Sequence, residues 1–255
     1  MLPKELLKTS AIHKLGLALA LYALYIAFFL IGFPKPIDNG VHILVVIVAL
    51  CAIIRELGTL RITNQPLLMD KRQKIIFSFF LVFFVGLYVL VTFQGIKNVI
   101  SVFNSPFHKI INVATTAFCA GFFEEYLVRG LILAALMQIL ANKRFGYTLA
   151  GFGAAFIFGL LHLSNLTFQS PAATLQQVLY ATVLGFTFAY LRIATNRLSL
   201  CIGLHTLIDF QPSVNQGVTT VHWGSLLIVF APLLLATWYC LWQADRQKNH
   251  SKFKV

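Results

Sequence analysis

Glu124, Glu125, Arg129, His162, His205 and Asp209 can all move protons or hold charge, yet each lies in a stretch otherwise built of hydrocarbon side chains. An ionisable group is expensive at that depth, so the six are expected to face a shared interior or a water-filled cavity. Their spacing sharpens the expectation. Glu125 and Arg129 stand four apart in GFFEEYLVRG, on one helical face and within pairing reach. Glu124 points about 100° away from Glu125 and cannot share that geometry. His205 and Asp209 repeat the interval in GLHTLIDF, and His162 follows Phe158 by four in FIFGLLH. Residues alone carry this to an intramembrane polar site, in an enzyme or a transporter. The plainer alternative for each feature is structural: an ion pair that ties helices together, or a hydrogen-bonded core histidine.

The elements that must position these groups are membrane spans. Hydrophobic residues make up 58% of the 255, and only 11% are charged, against about a quarter in a globular chain. The segments 15–34 and 75–96 carry no Asp, Glu, Lys or Arg, and neither does 145–191. A span needs roughly 20 apolar residues, so these runs hold one, one and two spans. The fold class is therefore all-α, a polytopic transmembrane helical bundle of about eight spans. The expected spans are 15–33, 40–54, 75–96, 111–140, 146–168, 172–191, 197–210 and 223–243. The first is read as retained rather than as a cleaved signal peptide, and 1–255 as a single integral membrane domain. Gly151, Gly153 and Gly159 in the fifth span suit close helix packing.

Net charge is +12. Of the 20 Lys and Arg residues, 16 fall on one side of this plan, which places both termini in the cytoplasm of a multi-pass cell-membrane protein. The basic charge is accounted for by topology and membrane lipids, and no nucleic-acid motif accompanies it. Cys51, Cys119, Cys201 and Cys240 are expected to be buried, reduced and structural, because their spacing matches no metal or disulfide framework. His13, His42, His108, His222 and His250 sit near span ends or loops and receive no role.

EEYLVR, FGLLH and HTLID resemble the three motifs of the CPBP family, the CAAX protease and bacteriocin-processing enzymes formerly called Abi. The motifs cover roughly residues 110–215. The resemblance implies a CAAX-protease-like fold and a membrane endopeptidase acting on a hydrophobic or amphipathic peptide or membrane-protein substrate. Peptide maturation, pheromone processing and bacteriocin self-immunity are the roles linked to bacterial relatives. It implies Glu124 as the base that activates water, His162 as the group that orients that water, and His205 with Asp209 as the pair steadying the oxyanion. Glu125, Arg129 and Phe158 become supporting residues. A free glutamate, with pKa about 4.3, is a weak base at neutral pH, so the apolar setting belongs to the proposed chemistry.

Asp209 departs from the asparagine usual in prenyl-protein proteases. It is expected to be protonated, to orient His205 through the ring nitrogen facing away from substrate, or to bind metal. No cofactor is favoured, although Glu124, His162, His205 and Asp209 are acceptable zinc ligands. Two other classes stay open: a non-proteolytic scaffold or immunity protein of the same family, and a transporter with a proton relay. One mismatch remains in the span plan. Glu124 lies far from the inner end of the fourth span, whereas His205 lies near the inner end of the seventh. The fourth span should therefore bend, start re-entrantly or lie elsewhere than placed here.

Overall fold

The computed structural model describes residues 2–34, 37–67, 69–214 and 219–252. Lys35 and Lys254, two of the 20 Lys and Arg residues counted for topology, lie outside the described residues. Ten α-helices account for most of the described chain: α1 (Ala11–Ile31), α2 (Ile37–Leu57), α3 (Lys71–Phe83), α4 (Gly95–Phe103), α5 (Phe107–Glu125), α6 (Leu133–Ile139), α7 (Gly146–Leu161), α8 (Pro171–Thr195), α9 (Ser199–Asp209) and α10 (Trp223–Lys252). Among the described residues, six helical segments are long and apolar enough to cross a membrane. They are α1, α2, α3 with its continuation to Thr92, α7 with its continuation to Thr167, α8 and α10. The six include neither α5 nor α9. The protein is thus an all-α, multi-pass membrane protein.

Local sequence sets the helix starts. The Ser10 side chain accepts from the His13 N–H at the head of α1. Asp70 and Gln73 close a reciprocal capping box on α3. Ser170 caps α8 just before Pro171, whose missing N–H costs nothing in the first turn. The start of α7 is capped from a distance: buried Asp245 of α10 accepts the Tyr147 and Thr148 N–H groups at 2.8 and 2.9 Å, and the Thr148 hydroxyl at 2.7 Å.

The central helix is α8, almost wholly buried from Ala181 to Ala194 and packed against α7, α9 and α10. Gly159 makes the α7–α8 contact possible, since a Cβ there would run into Thr182 and the Val178 carbonyl. α5 packs against α9 and α2, while α1 lies along α6. The turn after α8 is clamped by Asn196 in the left-handed region at φ 56°. Its side-chain oxygen accepts from Ile62 and Thr63, and its amide donates to the Thr63 carbonyl at 2.7 Å.

Several expectations are corrected. Residues 97–103, left between the third and fourth expected spans, belong to amphipathic α4, which tucks Val102 against Val113, Ala117 and Phe210. Lys14 and Arg192, counted as loop charges, are buried within α1 and α8. The Lys14 ammonium donates to the Leu6 and Thr9 carbonyls and to the Thr9 hydroxyl, each at 2.8 Å, so its polar head is fully occupied. Cys119, Cys201 and Cys240 are buried free thiols, but Cys51 is exposed on α2.

The fourth apolar stretch is helical from Phe107 to Ile139 but changes its hydrogen bonding midway. Tyr126–Ile132 is a π-helical segment. At its end the Leu133 N–H reaches back five residues to the Val128 carbonyl. Such turns occur frequently at functional sites. Here the π segment begins directly after Glu125.

Candidate active site

Two helices bring most of the ionisable groups together. α9 runs antiparallel to α5: His205 meets Glu125, Thr206 lies on Gly121, and Phe210 reaches Val113 and Ala117. A Cβ on Gly121 would strike the Thr206 hydroxyl, so this glycine sets how closely the two helices approach. The mismatch in depth between Glu124 and His205 is resolved by an offset. Leu198 and Ser199 share a groove with Tyr126, so α9 begins level with the end of α5 rather than with the end of α6.

The two adjacent glutamates face different surroundings. Glu125 is fully buried, and its Oε1 lies 2.9 Å from Arg129 Nη1 and 2.8 Å from His205 Nδ1. One carboxylate oxygen thus ties the π segment to α9. The buried Arg129 guanidinium also lies 4.3 Å from the centre of the Phe158 ring and 5.2 Å from that of Phe188. A desolvated cation over aromatic faces gains about 2 kcal/mol, which compensates part of the cost of burying the charge. Glu124 keeps 25% of its side chain exposed, and its Oε2 stands 3.6 Å from His205 Nε2. Asp209 Oδ2 approaches the same nitrogen at 3.3 Å.

His205 is therefore held at both ends of its ring, and the Phe188 ring stacks on it at 5.7 Å. Asp209 reaches His205 at Nε2, the nitrogen it shares with Glu124, whereas Glu125 holds Nδ1, which points back toward α5.

His162 lies at the end of α7, where the chain tightens into a 3₁₀ turn over His162–Thr167. Its Nδ1 is 2.9 Å from the Phe158 carbonyl. A carbonyl only accepts, so Nδ1 carries a hydrogen, and the ring in its neutral form presents a lone pair at Nε2. Among the described residues His162 has no direct ion pair with Glu124, though the two are close enough to interact electrostatically. Phe158 thus serves two neighbours, Arg129 with its ring and His162 with its carbonyl.

Sequence reasoning missed three aromatic residues at this site. Tyr25 of α1 stacks on Phe123 at 4.3 Å and feels the charges of Glu124 and Asp209. Tyr22 donates to the Leu161 carbonyl and lies 3.0 Å from the Ser164 hydroxyl, fixing α1 to the turn that carries His162. Phe188 of α8 is the third. Their only signal was an aromatic ring within an apolar span, which is no signal in a chain with 24 Phe and 8 Tyr.

Zinc requires ligand atoms converging on one point at about 2.0–2.3 Å. Among the described residues, no group of three His, Cys, Asp or Glu side chains is arranged to hold an ion in this way.

A buried Arg–Glu–His relay beside a second, partly open glutamate defines a membrane protein with a carboxylate–histidine site at a π-helical turn. A model of the family described as type II CAAX prenyl endopeptidase Rce1-like matches residues 106–211. Over that segment the chain is similar to the CAAX-protease, or CPBP, family, and the likeness supports an enzymatic, proteolytic role. Neither the curated proteins nor the solved structures contain a match.

Proposed function

We propose that this protein is an intramembrane endopeptidase that hydrolyses a peptide bond of a hydrophobic or membrane-associated peptide with a glutamate-activated water. The observation that carries the reading is the division of labour between neighbouring carboxylates. Glu125 is neutralised by Arg129 and committed to His205 Nδ1, which leaves Glu124 facing the chamber beside His205 Nε2. Water held between Glu124 and the lone pair of His162 Nε2 gives up a proton to Glu124 and attacks the carbonyl carbon. His205 offers an N–H at Nε2 to the oxyanion, and Glu125 stabilises the positive ring. Glu124 then returns the proton to the leaving nitrogen as the C–N bond breaks. A good oxyanion donor is worth on the order of 3 kcal/mol of barrier.

We read the whole chain, 1–255, as one membrane domain with its catalytic core at about 110–215. In this reading α5–α6 and α9 complete eight crossings, with both termini in the cytoplasm. The natural setting is peptide maturation, pheromone processing or bacteriocin self-immunity. Asp209 favours a second reading, a non-proteolytic scaffold of the same family. An ionised carboxylate 3.3 Å from Nε2 competes with the oxyanion for that donor.

The test compares membrane and secreted peptides of a native-host strain carrying Glu124→Ala with those of its parent by mass spectrometry, at matched protein levels. A precursor accumulating only in the variant, with its trimmed product missing, is the expected result. Unchanged peptides alongside a preserved immunity or signalling phenotype would move the assignment to the scaffold.

A further inference from the structure

Beside the α5–α9 contact lies a groove of about 850 Å³ that none of Glu124, His162, His205 and Asp209 lines. Its walls are Phe118 and Phe122 of α5 and Ile202 and Leu207 of α9, with Arg61 and Arg197 beside one another's loops at one end. Neither arginine forms an ion pair among the described residues, and no carboxylate among them lines the groove. The volume falls within the roughly 300–1,000 Å³ typical of small-ligand sites. Gly203 also lines it, and a Cβ built there meets nothing within 4 Å.

The groove has a physical origin in the length of α9. Eleven residues rise only about 16 Å, roughly half of a 30 Å hydrocarbon core. A helix that short leaves apolar volume beside it for something other than protein to fill. In a membrane the filler is an acyl chain. Two arginines at one end select the headgroup, because each cation near the surface favours an anionic lipid.

We propose that this groove is a binding site for one anionic phospholipid, its phosphate between Arg61 and Arg197 and an acyl chain along the Phe118–Phe122 and Ile202–Leu207 walls. The lipid would brace α9 against α5 from outside and so hold the helix that carries His205. This inference stands apart from the peptidase reading, since neither arginine belongs to the catalytic constellation.

Native mass spectrometry of the detergent-purified full chain, titrated with phosphatidylglycerol or with phosphatidylcholine of the same acyl chains, tests it. The parent should retain one phosphatidylglycerol with about thirtyfold preference, as two surface cations imply. Arg61→Gln/Arg197→Gln should erase the preference, and Gly203→Leu should reduce retention of both lipids. Thermal melting without added lipid, unchanged in both variants, shows that folding is intact. Equal retention of the two lipids by the parent, or a preference that survives in the double arginine variant, would sink the proposal. A dimer that Gly203→Leu splits into monomers would assign the groove to a second copy of the chain instead.

Discussion

Glu124 and Glu125 share a peptide bond and a side-chain chemistry, and about 100° of helical rotation separates what each can do. The same logic governs Asp209, placed by its four-residue interval on the His205 face but on the nitrogen that the proposed oxyanion needs. Replacing Asp209 with Asn keeps the shape, removes a negative charge from Nε2 and adds an N–H donor. Peptidase activity of Asp209→Asn is expected to match or exceed that of the parent, by up to about 100-fold, the scale of one oxyanion-hole contact, because the amide no longer competes for Nε2 and adds a donor. Single-turnover cleavage of the precursor identified with Glu124→Ala supplies the measurement. A 100-fold loss in the Asn variant would show that the carboxylate itself is required. At this scale the sequence was highly legible. Charged residues in hydrocarbon announce themselves, and Glu124, Glu125, Arg129, His205 and Asp209 do converge. Tyr25 and Phe188 stayed hidden because an aromatic ring in an apolar span looks like packing.

Among the elements, the α5–α9 pair decides whether the site exists. Gly121 is the closest point of that pair, with the Thr206 backbone N–H and side chain against it. Gly121→Val should push α9 outward, draw His205 Nδ1 off Glu125 and leave a buried carboxylate with one partner fewer. Expected are a fall in melting temperature matching 1–3 kcal/mol of overpacking and an activity loss well beyond the fraction unfolded. Partial rescue by Thr206→Ala would identify the clash as the cause, and no rescue would refute it. Helix existence was readable from apolar runs, but the offset of α9 was not, since run lengths carry no information about relative height. Nor could α4 be read, because nine amphipathic residues between two spans resemble a polar connection. Asp245 likewise lay beyond the expected end of the last span, and its work at the start of α7, nearly a hundred residues away, leaves no local trace.

For the whole molecule, the distribution of Lys and Arg remains the guide to orientation. Reporter fusions after Lys248 and after Asn104 should fluoresce and export respectively, as a cytoplasmic C-terminus and an outward α4–α5 turn require. The reverse pattern would invert the protein and move the proposed lipid site to the opposite leaflet. Buried Lys14 and Arg192 show where charge counting is blunt. Each sits at the edge of the bundle, where a cation can satisfy backbone carbonyls and still count toward topology.

The π segment at Tyr126–Ile132 also acts as a phase adjuster. Each π turn takes up about one residue more than an α turn, so α6 is rotated relative to the wheel that α5 begins. A helical wheel drawn straight through 107–139 therefore misassigns the faces beyond Tyr126, and a mutagenesis library designed on it would mistake packed positions for lipid-facing ones. The same turn makes this helix unequally tolerant of length changes. Removing one residue from the π segment can be absorbed by reverting to α geometry, at the cost of re-aiming Arg129, whereas removing one from α5 would rotate both glutamates away from His205.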